Sequence, residues 1–225
     1  MRHIRVLATA AVLAAVISQP SAAQSGRQFK DAWFWGVKGG ATVWGSAVTT
    51  DNGGAPQFGA DWLITRSRGG LYVSFDESLL TADAYFTTPG QNGFADPRVT
   101  IRNQHRLAVA AMVFPAQTPR LHPYFGVGAG VHRIGSSTYQ TGFTSASQFN
   151  LAADSVQARK VAIAPMLISG LQARVSRFSV FGQAVASFLP SNYLLRNEGP
   201  KRGISQFSIE GGIRYNVGSS IDKIR

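Results

Sequence analysis

One histidine stands in a pattern that could support nucleophilic catalysis. His132 lies near the end of an alternating apolar segment and precedes Ser136, Ser137 and Asp154. A histidine beside a hydroxyl or a carboxylate can act as a general base, as in lipid hydrolases and acyltransferases. A single histidine near the rim of a fold is more often an ordinary polar residue than a base. We therefore expect no catalytic residue and keep a lipid-modifying enzyme only as an alternative.

Other site chemistries are excluded by composition and spacing. The chain has no cysteine, which rules out disulfides, thiolate metal sites and a cysteine nucleophile. No Asp, Glu and His cluster has the spacing of a calcium or zinc site, so we expect no metal and no cofactor. The glycine-rich segment 126–130 is not a dinucleotide fingerprint, because Val131 replaces the third glycine and the pattern continues as a strand.

The chain is basic, and its first segment limits what that charge means. Twenty-two Lys and Arg against 11 Asp and Glu give a formal net charge of +11. Residues 1–23 begin with Arg2 and Arg5, continue through an apolar run over 6–17 and end in small residues, which predicts a secretory signal peptide. The run is too short for a membrane helix, which needs about 20 residues. Export argues against nucleic acid as the partner, and any membrane insertion must use strands.

Alternation with period two dominates the exported part of the chain. In the last segment Phe207, Ile209 and Ile213 share one face, whereas Glu210 and Arg214 share the other. Such alternation predicts strands with one apolar and one polar face. Eight segments qualify, although the phases of the sixth and seventh are ambiguous: 33–43, 57–65, 71–76, 106–113, 125–132, 161–171, 180–188 and 206–217.

The connections alternate between short and long. Short, turn-rich segments occupy 67–70, 115–123 and 174–177, and longer polar segments occupy the connections between them. An even number of antiparallel strands with short turns at one end and long loops at the other is typical of bacterial outer-membrane barrels. We therefore predict an all-β fold, an eight-stranded antiparallel up-and-down transmembrane β-barrel over 24–217, after a cleaved signal peptide at 1–23 and before a short periplasmic tail at 218–225.

The direction of the apolar face separates this fold from a soluble periplasmic lipocalin-like barrel, which would turn it inward around a lipid. Aromatic residues cluster at both ends of the apolar phase, as in the girdles of membrane barrels. The other phase of the fifth strand is Gly126, Gly128 and Gly130, which suits a narrow, crowded interior. The predicted girdle consists of Trp33, Trp35, Phe58, Phe125, Phe207 and Tyr215.

The opening segment 33–45, the segment 123–130 and the closing segment 211–217 resemble small outer-membrane β-barrel proteins of the OmpA/OmpX type. We expect a monomer in the bacterial outer membrane, and the resemblance implies that the barrel-assembly machinery recognises it during biogenesis. In this family a last-strand signal is recognised, and its pattern here matches Glu210, Gly212, Tyr215 and Val217. Val217 departs from the usual terminal aromatic residue.

An outward apolar face places the other phase inside the barrel. Isolated ions in so narrow a space are costly, so they must be paired and hydrogen-bonded. We therefore predict an ionic network that fills the lumen as a plug, with a narrow, porin-like pore as the alternative. Its predicted members are Lys38, Asp61, Asp76, Arg102, Arg106, Glu210 and Arg214.

Further cations lie toward the long-loop end, and Arg98 and Arg133 are among these rim cations. They could bind the phosphate groups of outer-leaflet lipopolysaccharide through charge-assisted hydrogen bonds, or form a solvated basic rim. We therefore predict a structural or surface-interaction role in the cell envelope, with outer-membrane lipid as the partner. The candidate glycolipid contacts are Arg159, Lys160, Arg196, Lys201 and Arg202.

Overall fold

The computed structural model describes residues 29, 31–45, 54–85, 98–116, 118, 120–140, 143, 145–190, 193 and 204–219, without the side chains of 84, 85, 204 and 219. The predicted signal peptide and residues 220–225 of the predicted tail lie outside this description. The last strand runs to residue 219, beyond the predicted barrel limit at 217.

Eight strands close into a barrel, and each strand pairs antiparallel with the next. The prediction of an eight-stranded up-and-down barrel is confirmed. The elements are β1 Ala32–Gly45, β2 Gly54–Arg66, β3 Gly69–Tyr85, β4 Arg98–Val113, β5 Leu121–Tyr139, α1 Ala146–Arg159, β6 Val161–Val175, β7 Phe178–Leu189 and β8 Ile204–Ser219.

The barrel closes where the first strand meets the last. The β1–β8 register runs from Ala32 opposite Ser219 to Gly45 opposite Ser205, with one shift between Trp33 and Phe34. In this register, the apolar phases of β1 and β8 lie on the same side of the barrel wall.

The apolar phase of the strands lies on the outer surface. Val37 is 67% exposed, Ile163 70% and Ile209 63%. The ionic phase lies inside, where Glu210 and Arg214 are buried. This orientation is the reverse of what a soluble lipid-carrying barrel requires, because such a barrel buries its apolar phase.

The ambiguous phase of β6 has a structural cause. Its outward face carries Val161, Ile163 and Leu167, and its inward face carries the equally apolar Ala164 and Met166. Both faces are apolar because the barrel interior holds apolar layers above and below its charged centre. Periodicity alone cannot distinguish the two faces of such a strand.

The lower apolar layer lies at the short-turn end. Phe29 inserts there, stacks on the His122 ring at 3.9 Å between centroids and meets Phe114 edge to face at 4.9 Å. The Thr65 hydroxyl donates a hydrogen bond to the Phe29 carbonyl. The remaining members are Ala32, Phe34, Leu63, Tyr72, Ala108, Ala110, Met112, Tyr124, Met166, Ile168 and Val185.

The upper apolar layer lies at the opposite end and includes a helix that the sequence analysis placed in a loop. Helix α1 begins after Ser145, whose hydroxyl accepts a hydrogen bond from the Gln148 amide. Its Val156 belongs to one buried cluster with strand residues that include Trp44, Ile101, Ile134 and Leu189. Among the described residues, no helix is long and apolar enough to cross a bilayer.

Candidate functional site

Four charged side chains form a closed ring at the centre of the lumen. Lys38 Nζ lies 2.7 Å from an oxygen of Asp76 and 2.7 Å from an oxygen of Glu210. Arg106 Nη2 lies 2.9 Å from Asp76 and 2.5 Å from Glu210. Each cation therefore contacts both carboxylates and each carboxylate contacts both cations. The ring joins β1, β3, β4 and β8.

Neutral side chains complete the coordination of the ring. The Glu210 carboxylate also accepts hydrogen bonds from Gln57 Nε2 at 2.9 Å and from Gln183 Nε2 at 2.7 Å. Lys38 donates to the Tyr72 hydroxyl at 2.9 Å, and the Ser74 hydroxyl donates to Asp76 at 3.0 Å. Such additional partners are what allow ions to remain buried in a medium of low dielectric.

A second ion pair lies beside the ring. Arg214 donates from Nε to one oxygen of Asp61 at 2.9 Å and from Nη2 to the other at 3.0 Å. Its Nη1 donates to Gln172 Oε1 at 2.8 Å. The guanidinium also stacks on the Phe181 ring, 3.7 Å from its centroid. The guanidinium therefore makes hydrogen bonds along its edge and a stacking contact on its face.

Gly36 provides the space for that pair. It faces the lumen on β1 between the strands that carry the two ions, with Asp61 and Arg214 as its register partners. A methyl group there would lie 2.6 Å from an oxygen of Asp61 and 2.8 Å from Cγ of Arg214. A larger residue is therefore incompatible with the observed pair.

Arg102 is the exception among the predicted lumen residues, and its prediction was wrong. The structure places Arg102 on the exposed outer side, whereas Ile101 points into the upper apolar layer. The phase changes at Asn103, which has a positive φ of 56° and lies where the β3–β4 register shifts. Strict alternation through Arg102 and Arg106 failed because β4 has one residue fewer than β3 at this point. Two residues of β3, Leu79 and Leu80, lie opposite Asn103 alone.

This shift balances the charge of the lumen. With Arg102 outside, Lys38, Arg106 and Arg214 face the three carboxylates of the ring and the second pair. The six side chains are at most about 4% exposed, so an unmatched seventh charge would have lacked a partner.

The candidate catalytic group is not assembled. His132 is fully buried inside the barrel, and its Nδ1 lies 3.4 Å from Gln104 Nε2. Ser136 and Asp154 are exposed, and no hydrogen bond within the described residues joins His132 to them or to Ser137. No group of three or more Asp, Glu or His residues in the described ranges is arranged to hold a metal.

The predicted girdle residues all lie on the outer surface. At the short-turn end, Trp35 stacks on Trp62 at 5.4 Å and Trp33 meets Trp62 edge to face at 5.3 Å. Phe178, which the sequence analysis did not include, packs on Tyr215 at 5.2 Å. Phe125 completes this end, and Phe58 and Phe207 are exposed toward the other.

The four residues of the predicted assembly signal have separate surroundings. Glu210 belongs to the central ring, and Gly212 lies where a methyl group would be 2.8 Å from the Phe181 ring. Tyr215 and Val217 are exposed on the outer face. Recognition by an assembly machinery stays a prediction.

The predicted rim cations divide into three groups. Arg98 pairs with Asp83 at 3.2 Å on the outer side of the upper strands. Arg133 and Arg159 are exposed and Lys160 is half-buried, all near the junction of α1 with β5 and β6. Arg196, Lys201 and Arg202 lie outside the described residues.

Sequence reasoning missed the neutral members of the lumen network. Tyr72, Gln57, Gln172 and Gln183 hold the ions, yet only charged residues were singled out. Their inward phase was readable for β2 and β3. For β6 and β7 it was not, because alternation there is weak.

No protein-family model matches the chain, and no curated protein matches it. Among solved structures, it is similar to Neisserial surface protein A, with 10% identity over 83% of this chain and 97% of that one and a TM-score of 0.49. The outer membrane protein AlkL in lipid bilayers is 13% identical over 92% and 99% of the two chains, with a TM-score of 0.45. The N-terminal barrel domain of Pseudomonas aeruginosa OprF is 13% identical over 84% and 100%, with a TM-score of 0.40. In fold, the chain is a closed eight-stranded β-barrel, and these structural neighbours are small outer-membrane barrels.

Proposed function

We propose that the protein is an integral bacterial outer-membrane barrel with a sealed lumen and a structural or surface-interaction role in the cell envelope. The observation that carries this proposal is the outer surface, where large apolar side chains are exposed on all eight strands. A water-soluble monomer rarely exposes a continuous apolar patch beyond a few hundred Å². Hydrocarbon is the environment that makes such a surface favourable.

A polar row marks the upper edge of the apolar band on three strands, although Leu79, two residues above that row on β3, is also 46% exposed. Below the edge lie residues such as Phe75, Leu107 and Val131. The next outward residues on β3, β4 and β5 are Glu77, His105 and Arg133, which are direct register partners. Outer-membrane barrels carry an apolar band about 25 Å tall flanked by polar or aromatic interfaces.

The lumen supports a plug rather than the narrow pore that the sequence left open. The central ion ring lies between two apolar layers, one closed by Phe29 and the other by Val156 and Tyr193. A water-filled path would have to cross both layers and separate matched ions. Eight-stranded barrels are generally filled in this way by their own side chains.

Fractionation and gel migration test membrane integration together. The protein should sediment with outer membranes, resist extraction by carbonate, and migrate differently on gels before and after boiling. A mature chain that remains in solution without detergent would contradict the proposal and favour a soluble barrel.

Planar-bilayer recording tests the sealed lumen independently. Barrels that have passed the migration test should give no steady single-channel current. Reproducible openings of uniform size would contradict the plug and leave membrane integration intact.

We assign no catalytic role, because His132 is enclosed and its candidate partners point elsewhere. Unchanged envelope lipids on expression of the protein would agree with that assignment, and a new deacylated or acylated lipid would contradict it. We further propose that the barrel-assembly machinery recognises β8 through Glu210, Gly212, Tyr215 and Val217 and acts on the chain during biogenesis.

A further inference from the structure

A groove with cationic walls lies between helix α1 and the upper part of β5. Arg133, Ser136 and Tyr139 line it from the strand, and Gln157 and Lys160 line it from the helix and its end. It encloses about 100 Å³, well below the roughly 300–1,000 Å³ of enclosed small-molecule sites. A groove of this size accommodates one polar group rather than a whole ligand.

Both cations of this groove lie directly at the upper edge of the apolar band. On β5, Arg133 is the next outward residue above Val131, which is 41% exposed. Lys160 directly precedes Val161, the register partner of Arg133 and itself 47% exposed. Hydrocarbon that covers Val131 and Ile163 would therefore bring a lipid headgroup level with the two cations.

The groove is rich in donors and has no acidic wall. None of its lining residues is an aspartate or a glutamate, and Arg133 and Lys160 form no ion pair within the described part of the chain. Ser136, Ser137 and the Tyr139 hydroxyl add neutral donors. Arg102, the register partner of Ser136, is exposed beside them and adds a third positive charge.

The geometry is fixed before any ligand arrives. The amide of Ile134 donates to the Lys160 carbonyl at 2.9 Å and fastens the end of α1 to β5. At the other end of the helix, Phe149 packs on Tyr139 at 4.8 Å and on Phe143 at 5.6 Å. Such pre-organisation lowers the entropic cost of binding.

We propose that this groove binds the phosphate group of a phosphorylated glycolipid in the outer leaflet, with Arg133 and Lys160 as the principal contacts. The inference rests on the proposed membrane location, and it assigns the partner of one face of the rim. Arginine offers a planar fork to phosphate oxygens, and the lysine ammonium adds a compact charge. A neutral headgroup would leave both cations without a counterion, so the site distinguishes lipids by phosphate.

Lipid retention tests the proposal directly. Refolded, full-length mature barrels in zwitterionic detergent are mixed with diphosphorylated lipid A or with the same lipid after enzymatic dephosphorylation. Mass spectrometry after size-exclusion chromatography then measures the glycolipid bound per barrel. We expect retention of the phosphorylated lipid alone, and an affinity at least about tenfold lower in the Arg133→Gln/Lys160→Gln variant.

The matched control removes two arginines at the opposite, short-turn end. The Arg68→Gln/Arg177→Gln variant loses the same charge from exposed turn positions and should retain lipid A as the wild type does. Equal binding by the wild type and the groove variant would overturn the proposal, as would equal binding of the two lipids. Complete displacement by inorganic phosphate at the same concentration as the lipid would also overturn it, because the site would then prefer a free ion. Only barrels that show heat-modifiable migration and insert into vesicles enter the test, so its failure leaves the proposed membrane location standing.

Discussion

Arg214 on β8 and Asp61 on β2 form a bidentate ion pair that passes over β1. Its Nε–Oδ1 and Nη2–Oδ2 distances are 2.9 and 3.0 Å. The two residues lie 153 positions apart, and their strands are not neighbours in the wall. The pair therefore links the strands on either side of β1 across the lumen. It is possible only because the intervening residue, Gly36, has no side chain.

Gly36→Ala should destabilise the barrel by about 1–3 kcal/mol, the usual cost of forcing extra atoms into a packed interior. The added methyl group would displace Asp61 or Arg214 from the pair. Gly39→Ala is the matched control, since Gly39 is exposed and its nearest atom would lie 3.7 Å away. Urea unfolding of barrels in vesicles, followed by tryptophan fluorescence, measures both. Equal stability of the two variants would contradict this account of Gly36.

Glu210→Gln should lower the free energy of unfolding by about 3–5 kcal/mol, more than Gly36→Ala does. The reason is that it leaves two buried cations to share one carboxylate. Lys38 and Arg106 would then have only Asp76 as their counterion. Glu77→Gln removes the same charge from the outer face, where Glu77 accepts a hydrogen bond from Asn103 at 2.9 Å, and should change stability little. The same unfolding measurement applies, and a wild-type midpoint for the Glu210 variant would refute a structural role for the ring.

An arginine on the outer face should report the depth of each position in the membrane. Ile213→Arg lies within the apolar band and should cost about 2–4 kcal/mol in a bilayer, whereas Val217→Arg near the edge should cost about 0–1 kcal/mol. Both residues are on the same strand and face, 51% and 48% exposed. If both substitutions were neutral in lipid vesicles, hydrocarbon would not contact this face.

Helix α1 should detach when its buried face becomes charged. Val156→Asp would place a carboxylate in the upper apolar layer, whereas Leu151→Asp changes a residue that is 65% exposed. Limited trypsin digestion should cut after Arg159 in the Val156 variant well before it does so in the Leu151 variant or the wild type. Identical digestion rates in all three proteins would mean that the helix is not held by that contact.

The sequence predicted the features that follow from uninterrupted alternation. In β8 each face has one chemical character, so the lumen positions of Glu210 and Arg214 followed directly from the phase. In β1 the apolar outward run of Trp33, Trp35 and Val37 placed Lys38 inside, although Phe34 and Trp44 share its inward face. The aromatic girdle could be located for the same reason, since its members share the apolar phase.

The features that were missed share a physical cause, a local break in that alternation. The register irregularity opposite Asn103 reversed the phase of Arg102. It could not be predicted, because a positive φ at a non-glycine residue leaves little trace in the sequence pattern. Helix α1 lies in a segment that the sequence predicts as a loop, because its surroundings are rich in Ser and Thr. Ser145, with buried Ala152 and Val156 four positions apart, was the available indication of a capped amphipathic helix.

The seam between β1 and β8 also determines how the molecule can come apart. In an open sheet the outermost strand has one neighbour and can peel away while the rest survives. A closed barrel has no such strand, because removing any strand breaks its hydrogen bonds to both neighbouring strands. Removing β1 would also expose the charged side chains that lie beneath it. The barrel should therefore unfold in one cooperative transition rather than strand by strand from one edge.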